Sequence, residues 1–191
     1  MMPPSTGPIA GAWPEQSRHR PPGGTCHVIA PPVTRKPPAG EEGPVAEDSP
    51  PPTAARAGDL ALLVPVGGDT YALPLAAVRE VAVDPRVTTL PTAPRVVLGL
   101  FNLRGQIVPL LDTGRLLGLR GVERSDFAVL VETGHGIAGL AATAIPLTVR
   151  LSEAVGSSDL EASTETFLVC DRRLAVALDV AELLSPARIS R

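Results

Sequence analysis

The chain has 191 residues, 17 basic against 20 acidic side chains and a formal net charge of −3. That length suits one ordinary domain with an appendage, or two small lobes, and rules out a large multidomain enzyme. The slight acidity excludes the basic excess of a nucleic-acid surface, and an aromatic share of 3% within a 44% hydrophobic fraction leaves the core to aliphatic side chains.

Composition divides the chain near Gly58. Fourteen of the 22 prolines lie before it, many in pairs and triples such as Pro37-Pro38 and Pro50-Pro51-Pro52, with only seven Val, Ile, Leu, Met or Phe residues. So little apolar surface does not offset about 1–2 kcal/mol of backbone entropy per ordered residue. The expectation is a disordered, Pro-rich tail over residues 1–58 followed by a folded domain over 59–191. Within the tail, Cys26-His27 has no second pair to complete a metal site, and Cys26 with Cys170 makes neither a disulfide framework nor a zinc spacing. The start lacks the basic and apolar regions of a secretory signal, and no run approaches the roughly 20 apolar residues of a membrane helix. A reduced, cytoplasmic setting is expected.

From Asp59 onward, short apolar runs alternate with turn residues. Leu60 to Val66 reads as a strand, Gly67-Gly68-Asp69 as a turn and Thr70 to Pro74 as the returning strand. Leu75 to Val83 is an apolar patch containing Arg79-Glu80, and Val87 to Leu90 is another short strand. Arg95 to Leu98 reads as a helical turn. Phe101 to Leu111 reads as two strands around Arg104-Gly105-Gln106, with Leu103 and Ile107 pointing inward on either side. Gly114 to Gly118 is helical, with Leu116 and Leu117 inward. Phe127–Glu132, Gly136–Ala144 and Leu147–Leu151 form a second meander, and polar Ser152–Thr166 reads as a loop. A last hairpin joins Phe167–Cys170 to Leu174–Leu178, and a short helix over Val180–Leu184 stops at Pro186. Many short strands without strand–helix alternation predict an all-β fold, a sandwich or barrel of two lobes breaking near Gly121.

The sequence carries little catalytic chemistry. Leu110-Leu111-Asp112-Thr113-Gly114 resembles the retroviral-type aspartic protease string, where two carboxylates share a proton across a dimer axis. Arg115 then puts a cation beside the dyad, and an Asp that ends a strand and caps the Thr113–Gly118 turn is the simpler reading. His19, His27 and His135 do not cluster. No nucleophile elbow and no phosphate loop is present, so no catalytic residue, metal or cofactor is expected.

The informative stretch is Gly99-Leu100-Phe101-Asn102-Leu103-Arg104-Gly105-Gln106-Ile107-Val108-Pro109-Leu110-Leu111-Asp112. An arginine between apolar strands is costly unless its guanidinium reaches water or acceptors, which makes Asn102-Leu103-Arg104-Gly105 an exposed turn. This run resembles the signature of the CheW family of bacterial chemotaxis coupling proteins. Tyr71 to Val81, the prolines Pro91 and Pro94, and Ala177 to Leu184 are similar to the family in the same order, so the resemblance covers Asp59 to about Leu184.

The resemblance implies two small five-stranded SH3-like β-barrel lobes with a short C-terminal helix. It implies a non-catalytic adaptor that bridges the cytoplasmic tips of chemoreceptors to the regulatory domain of a CheA-type histidine kinase. Carried onto this chain, the family's contact surface implies Val78, Glu80, Val81, Asn102, Arg104 and Gly105 as partner-binding residues. A dimeric aspartic peptidase centred on Asp112 and a stand-alone SH3-like peptide-binding module are the alternatives. Against the module, the folded part has only Tyr71, Phe101, Phe127 and Phe167 to line a groove.

Overall fold

The structure, a computed structural model, describes residues 53–122, 125–134, 136–169 and 172–190. Its strands in chain order are β1 Leu60–Val66, β2 Asp69–Pro74, β3 Val78–Val83, β4 Val97–Leu103, β5 Gln106–Leu111, β6 Phe127–Thr133, β7 Gly136–Ala142, β8 Leu147–Arg150, β9 Ala154–Ser157, β10 Ser163–Leu168 and β11 Leu174–Leu178. Three one-turn α-helices, α1 Thr113–Leu116, α2 Val180–Leu183 and α3 Pro186–Ile189, and a 3-10 turn over Leu75–Ala77 complete the elements of the described residues. A six-stranded sheet runs β8-β1-β2-β11-β10-β9 and a five-stranded sheet runs β3-β6-β7-β5-β4.

Both sheets curl. Four Cα steps join Arg150 of β8 to Ala154 of β9, a reach of at most about 15 Å. Six strands laid flat would set those two edges about 24 Å apart. The five-stranded sheet is drawn round by Thr88 and Leu100, whose backbones exchange hydrogen bonds of 2.7 and 2.9 Å. A Cβ on Gly99 would stand 2.3 Å from the Thr88 carbonyl oxygen, so this approach of two backbones requires glycine.

The central strands are buried on both faces, and their alternation feeds two different cores. In β6, Ala128 and Leu130 point into the five-stranded lobe with Phe101, Val108 and Leu110. Val129 and Val131 face the other way and meet Leu62, Val64, Tyr71 and Leu73 in a seam between the lobes. In β1, Ala61 and Leu63 enter the six-stranded lobe, whose interior sets several alanines around Phe167. One large ring among small residues is how a narrow barrel fills its taper.

The fold class expected from sequence is the one observed, with differences in detail. One lobe has six strands rather than five, because polar Ser152–Thr166 supplies β9 and most of β10 instead of a loop. All four residues of β9 are exposed, so no apolar alternation marks it. The lobes also interleave rather than divide near Gly121: β1, β2 and β8 to β11 build one, and β3 to β7 the other. Of the segment Val87–Leu90, only the Thr88 bridge is strand-like, and Val97 and Leu98 open β4 instead of a helical turn.

The proposed tail lies outside the described residues up to position 52. Its last six residues pack on the domain: Ala55 is 1% exposed within the six-stranded lobe, and the Thr53 carbonyl accepts from the Val180 amide at 2.8 Å. One buried alanine at the end of a proline run carries no composition signal.

At the C-terminus, Asp179 caps α2 through bonds from the Ala181 and Glu182 amides. Pro186, expected only to stop that helix, also starts α3, where its missing N–H costs nothing. Buried Arg188 then reaches Glu161 at 2.8 Å, Glu182 at 3.1 Å and the Leu116 carbonyl at 3.3 Å, tying α3 to α1 and the six-stranded lobe.

Candidate functional site

Leu103 pairs with Gln106, so the β4–β5 loop is the two residues Arg104 and Gly105. Both have positive φ, 51° and 93°, as a type I′ hairpin turn demands. Gly105 takes that conformation freely, whereas an arginine there costs on the order of 1–2 kcal/mol. Asn102 steadies the turn: its Oδ1 accepts the Gly105 amide at 2.7 Å.

The guanidinium of Arg104 bonds the carboxylate of Glu80 at 2.8 Å, with side chains 81% and 26% exposed. Two residues 24 apart in sequence, both expected at the contact surface, thus meet at one end of the five-stranded lobe. Glu80 shares a sheet face with its register partner Leu130 and with Ala82, the face that looks into that lobe. A pair this wet contributes about 0–1 kcal/mol, so it does not clearly offset the backbone cost of Arg104.

Turn length sets the faces of the hairpin. With a two-residue loop, Asn102 lies opposite Ile107 and Phe101 opposite Val108. Phe101 and Val108 are buried, Leu103 packs on the same core, and Ile107 is 59% exposed. The expectation that Ile107 points inward is therefore wrong. Ile107 and half-buried Leu100 and Pro109 give the outer face of the hairpin an apolar surface beside Arg104.

Val78 and Val81 are arranged differently from the hairpin residues. A bulge between Val78 and Glu80 leaves Arg79 as the extra residue. Val78 and Val81 turn to the seam core, where both are half-buried. They are not an open edge patch beside Glu80. Val78 and Arg79 instead help line a groove of about 750 Å³ between the start of β3, the β6–β7 turn and helices α2 and α3. No local pattern marks this groove, because its walls come from segments spread over more than a hundred residues, from Ala76 to Pro186.

Asp112 is fully buried. Its carboxylate accepts the Arg115 amide at 3.1 Å, both oxygens accept the Val122 amide at 3.1 Å, and Arg115 Nε stands 3.1 Å away. It caps α1 and pins the following loop, so it is not open to share a proton with a second carboxylate. The peptidase reading fails there. The aromatic groove fails as well: Tyr71, Phe101 and Phe167 are buried in the three cores and Phe127 packs on the seam. No group of three or more His, Cys, Asp or Glu among the described residues is arranged to hold a metal ion. Cys26, His27, His135 and Cys170 lie outside the described residues. No helix among the described residues is long and apolar enough to cross a membrane.

Residues 60–188 match the family model of the CheW-like domain. The chain is 25% identical over 129 residues to the probable chemotaxis protein CheW of Rhizobium etli, covering 63% of this chain and 83% of that one. It is 27% identical over 103 residues to the chemotaxis protein CheW of Helicobacter pylori, covering 53% and 60% respectively. The crystal structure of the scaffolding protein TtCheW from Thermoanaerobacter tengcongensis superposes with a TM-score of 0.60 at 20% identity, over 70% of this chain and 97% of that one.

Proposed function

The chain belongs to the CheW family, and from that premise we propose that it is a non-catalytic cytoplasmic adaptor joining the tip of a chemoreceptor to the regulatory domain of a CheA-type histidine kinase. The contact surface in this reading is the hairpin end of the five-stranded lobe, with Asn102, Arg104 and Gly105 at its tip and Glu80 beside it. Val78 and Val81 support it from the seam. The observation that carries the reading is Arg104. The side chain is largely exposed, its backbone sits in a region unfavourable to L-residues, and its ion pair with Glu80 is too wet to offset that cost. A strained exposed residue with little structural return is a mark of use elsewhere. Glu80 holds the guanidinium in place and leaves most of it open to a second carboxylate, and exposed Ile107 supplies the apolar component that interface centres need.

The test is a titration of the full chain with a CheA-type regulatory domain and with a receptor-tip fragment, separately and together. An adaptor binds each and forms a ternary complex. Arg104→Glu should weaken binding to at least one by about 2–5 kcal/mol if the contact is desolvated. Binding of neither partner would overturn the reading.

A further inference from the structure

The groove between β3, the β6–β7 turn and α2–α3 has walls of Val78, Ala181 and Leu184, with Arg79 and Glu132 at its polar margin. Neither Arg79 nor Glu132 has an ion-pair partner among the described residues. Thr53 also lines it. It is fastened there by its carbonyl to the Val180 amide at 2.8 Å and by its hydroxyl to Asp179 Oδ2 at 3.1 Å. Fifty-two residues precede Thr53, and the last of them are Val45-Ala46-Glu47-Asp48-Ser49-Pro50-Pro51-Pro52.

We propose that this segment, residues 45–52, occupies the groove of its own chain. Three properties fit it to the place. It enters at the groove rim, so a stretch this short works at an effective concentration in the millimolar range. Its three prolines have no N–H to bury unsatisfied and lose little entropy in an extended helix, so they can lie on an apolar wall cheaply. Asp48 and Glu47 stand five and six residues before Thr53, within about 15–19 Å at polyproline rise, and no basic residue lies between Gly40 and Pro52 to oppose their approach to Arg79. None of the described residues lining the groove is aromatic, so the contact depends on the tether and the same peptide added free should not compete. The inference does not rest on the identity of any partner. A partner that needs the groove must first displace the segment.

The experiment follows a thiol in the full chain. Cys26→Ser and Cys170→Ser remove the native thiols, and Ala181→Cys places one on the exposed groove wall; Glu153→Cys, by β9, is the remote control. Maleimide labelling is timed with the native tail and with Pro50, Pro51 and Pro52 replaced by Ser and Glu47 and Asp48 by Lys. Melting curves confirm that each variant is folded. The proposal expects labelling at position 181 to be several-fold slower with the native tail, independent of protein concentration, and equal at position 153. Equal rates at 181 would overturn it. Protection that grows with protein concentration would also overturn it, because the occupant would then be the tail of a second copy.

Discussion

At the scale of single residues, burial and charge decide which groups are structural. Asp112 spends both carboxylate oxygens inside the fold, whereas Arg104 spends little of its guanidinium there. Tyr71 gives a residue-level test of the seam. Burial, and then the charge of Asp69, raise its phenol above the ordinary value of 10.0. Above that ordinary value the unfolded chain loses this proton first, so the native state binds more protons and stability falls as pH rises. The contribution should be intact below pH 10 and lost as pH climbs through the raised value. Alkaline unfolding with a phenolate absorbance readout should show this, and Tyr71→Phe should flatten the dependence. An unchanged alkaline slope in Tyr71→Phe would place Tyr71 outside the seam.

At the scale of elements, the β4–β5 hairpin shows what a sequence conveys and where it stops. Asn102-Leu103-Arg104-Gly105 announces a turn with an exposed arginine, and the structure has one. The strand after it does not announce its own phase. In Ile107-Val108-Pro109-Leu110-Leu111 either alternation presents apolar residues, so only the turn length fixes which ones face in. A two-residue loop turns Ile107 outward and Val108 inward. Val108→Ala should therefore cost about 1–3 kcal/mol, as a buried-methyl deletion in a core with few voids. Ile107→Ala should shift stability by no more than about 0.5 kcal/mol. Denaturant titration of the two variants measures the difference, and the reverse order would mean a shifted register. Gly99→Ala probes the closure of the same lobe. Its methyl would meet the Thr88 carbonyl and Val87, and a cost of about 1–3 kcal/mol by the same titration is expected from overpacking.

At the scale of the whole molecule, the all-β class and the two lobes were legible from strand spacing and from the family resemblance. The interleaving of the lobes was not. Nothing local in β8 or β9 distinguishes a strand that returns to the first lobe from one that stays in the second. The pairing is settled by long-range partners such as Leu60 with Arg150 and by the Thr143 amide and hydroxyl on the Pro65 carbonyl. Arg188, the clasp that holds the C-terminal end to both α1 and Glu161, was equally hidden, because a lone arginine near a chain end reads as a solvated charge. Arg188→Ala should destabilise the fold by about 1–3 kcal/mol by leaving the Leu116 carbonyl short of a partner. Thermal melting checks this, and a neutral outcome would make the clasp a surface feature.

Arg104→Asn separates what a partner would ask of this turn from what the fold asks of it. Asn-Gly is the residue pair a type I′ turn prefers, so the substitution should leave melting unchanged or stabilise the protein by about 0.5–1 kcal/mol. It also removes the guanidinium that a partner's carboxylate would meet. The measurement is one paired set, melting of the variant and its calorimetric titration with the kinase regulatory domain and the receptor tip. An equal or higher melting temperature together with loss of at least tenfold in affinity for one of the two is the predicted result. A less stable protein that binds both partners as before would contradict it, assigning Arg104 to the fold and the contact surface to other residues.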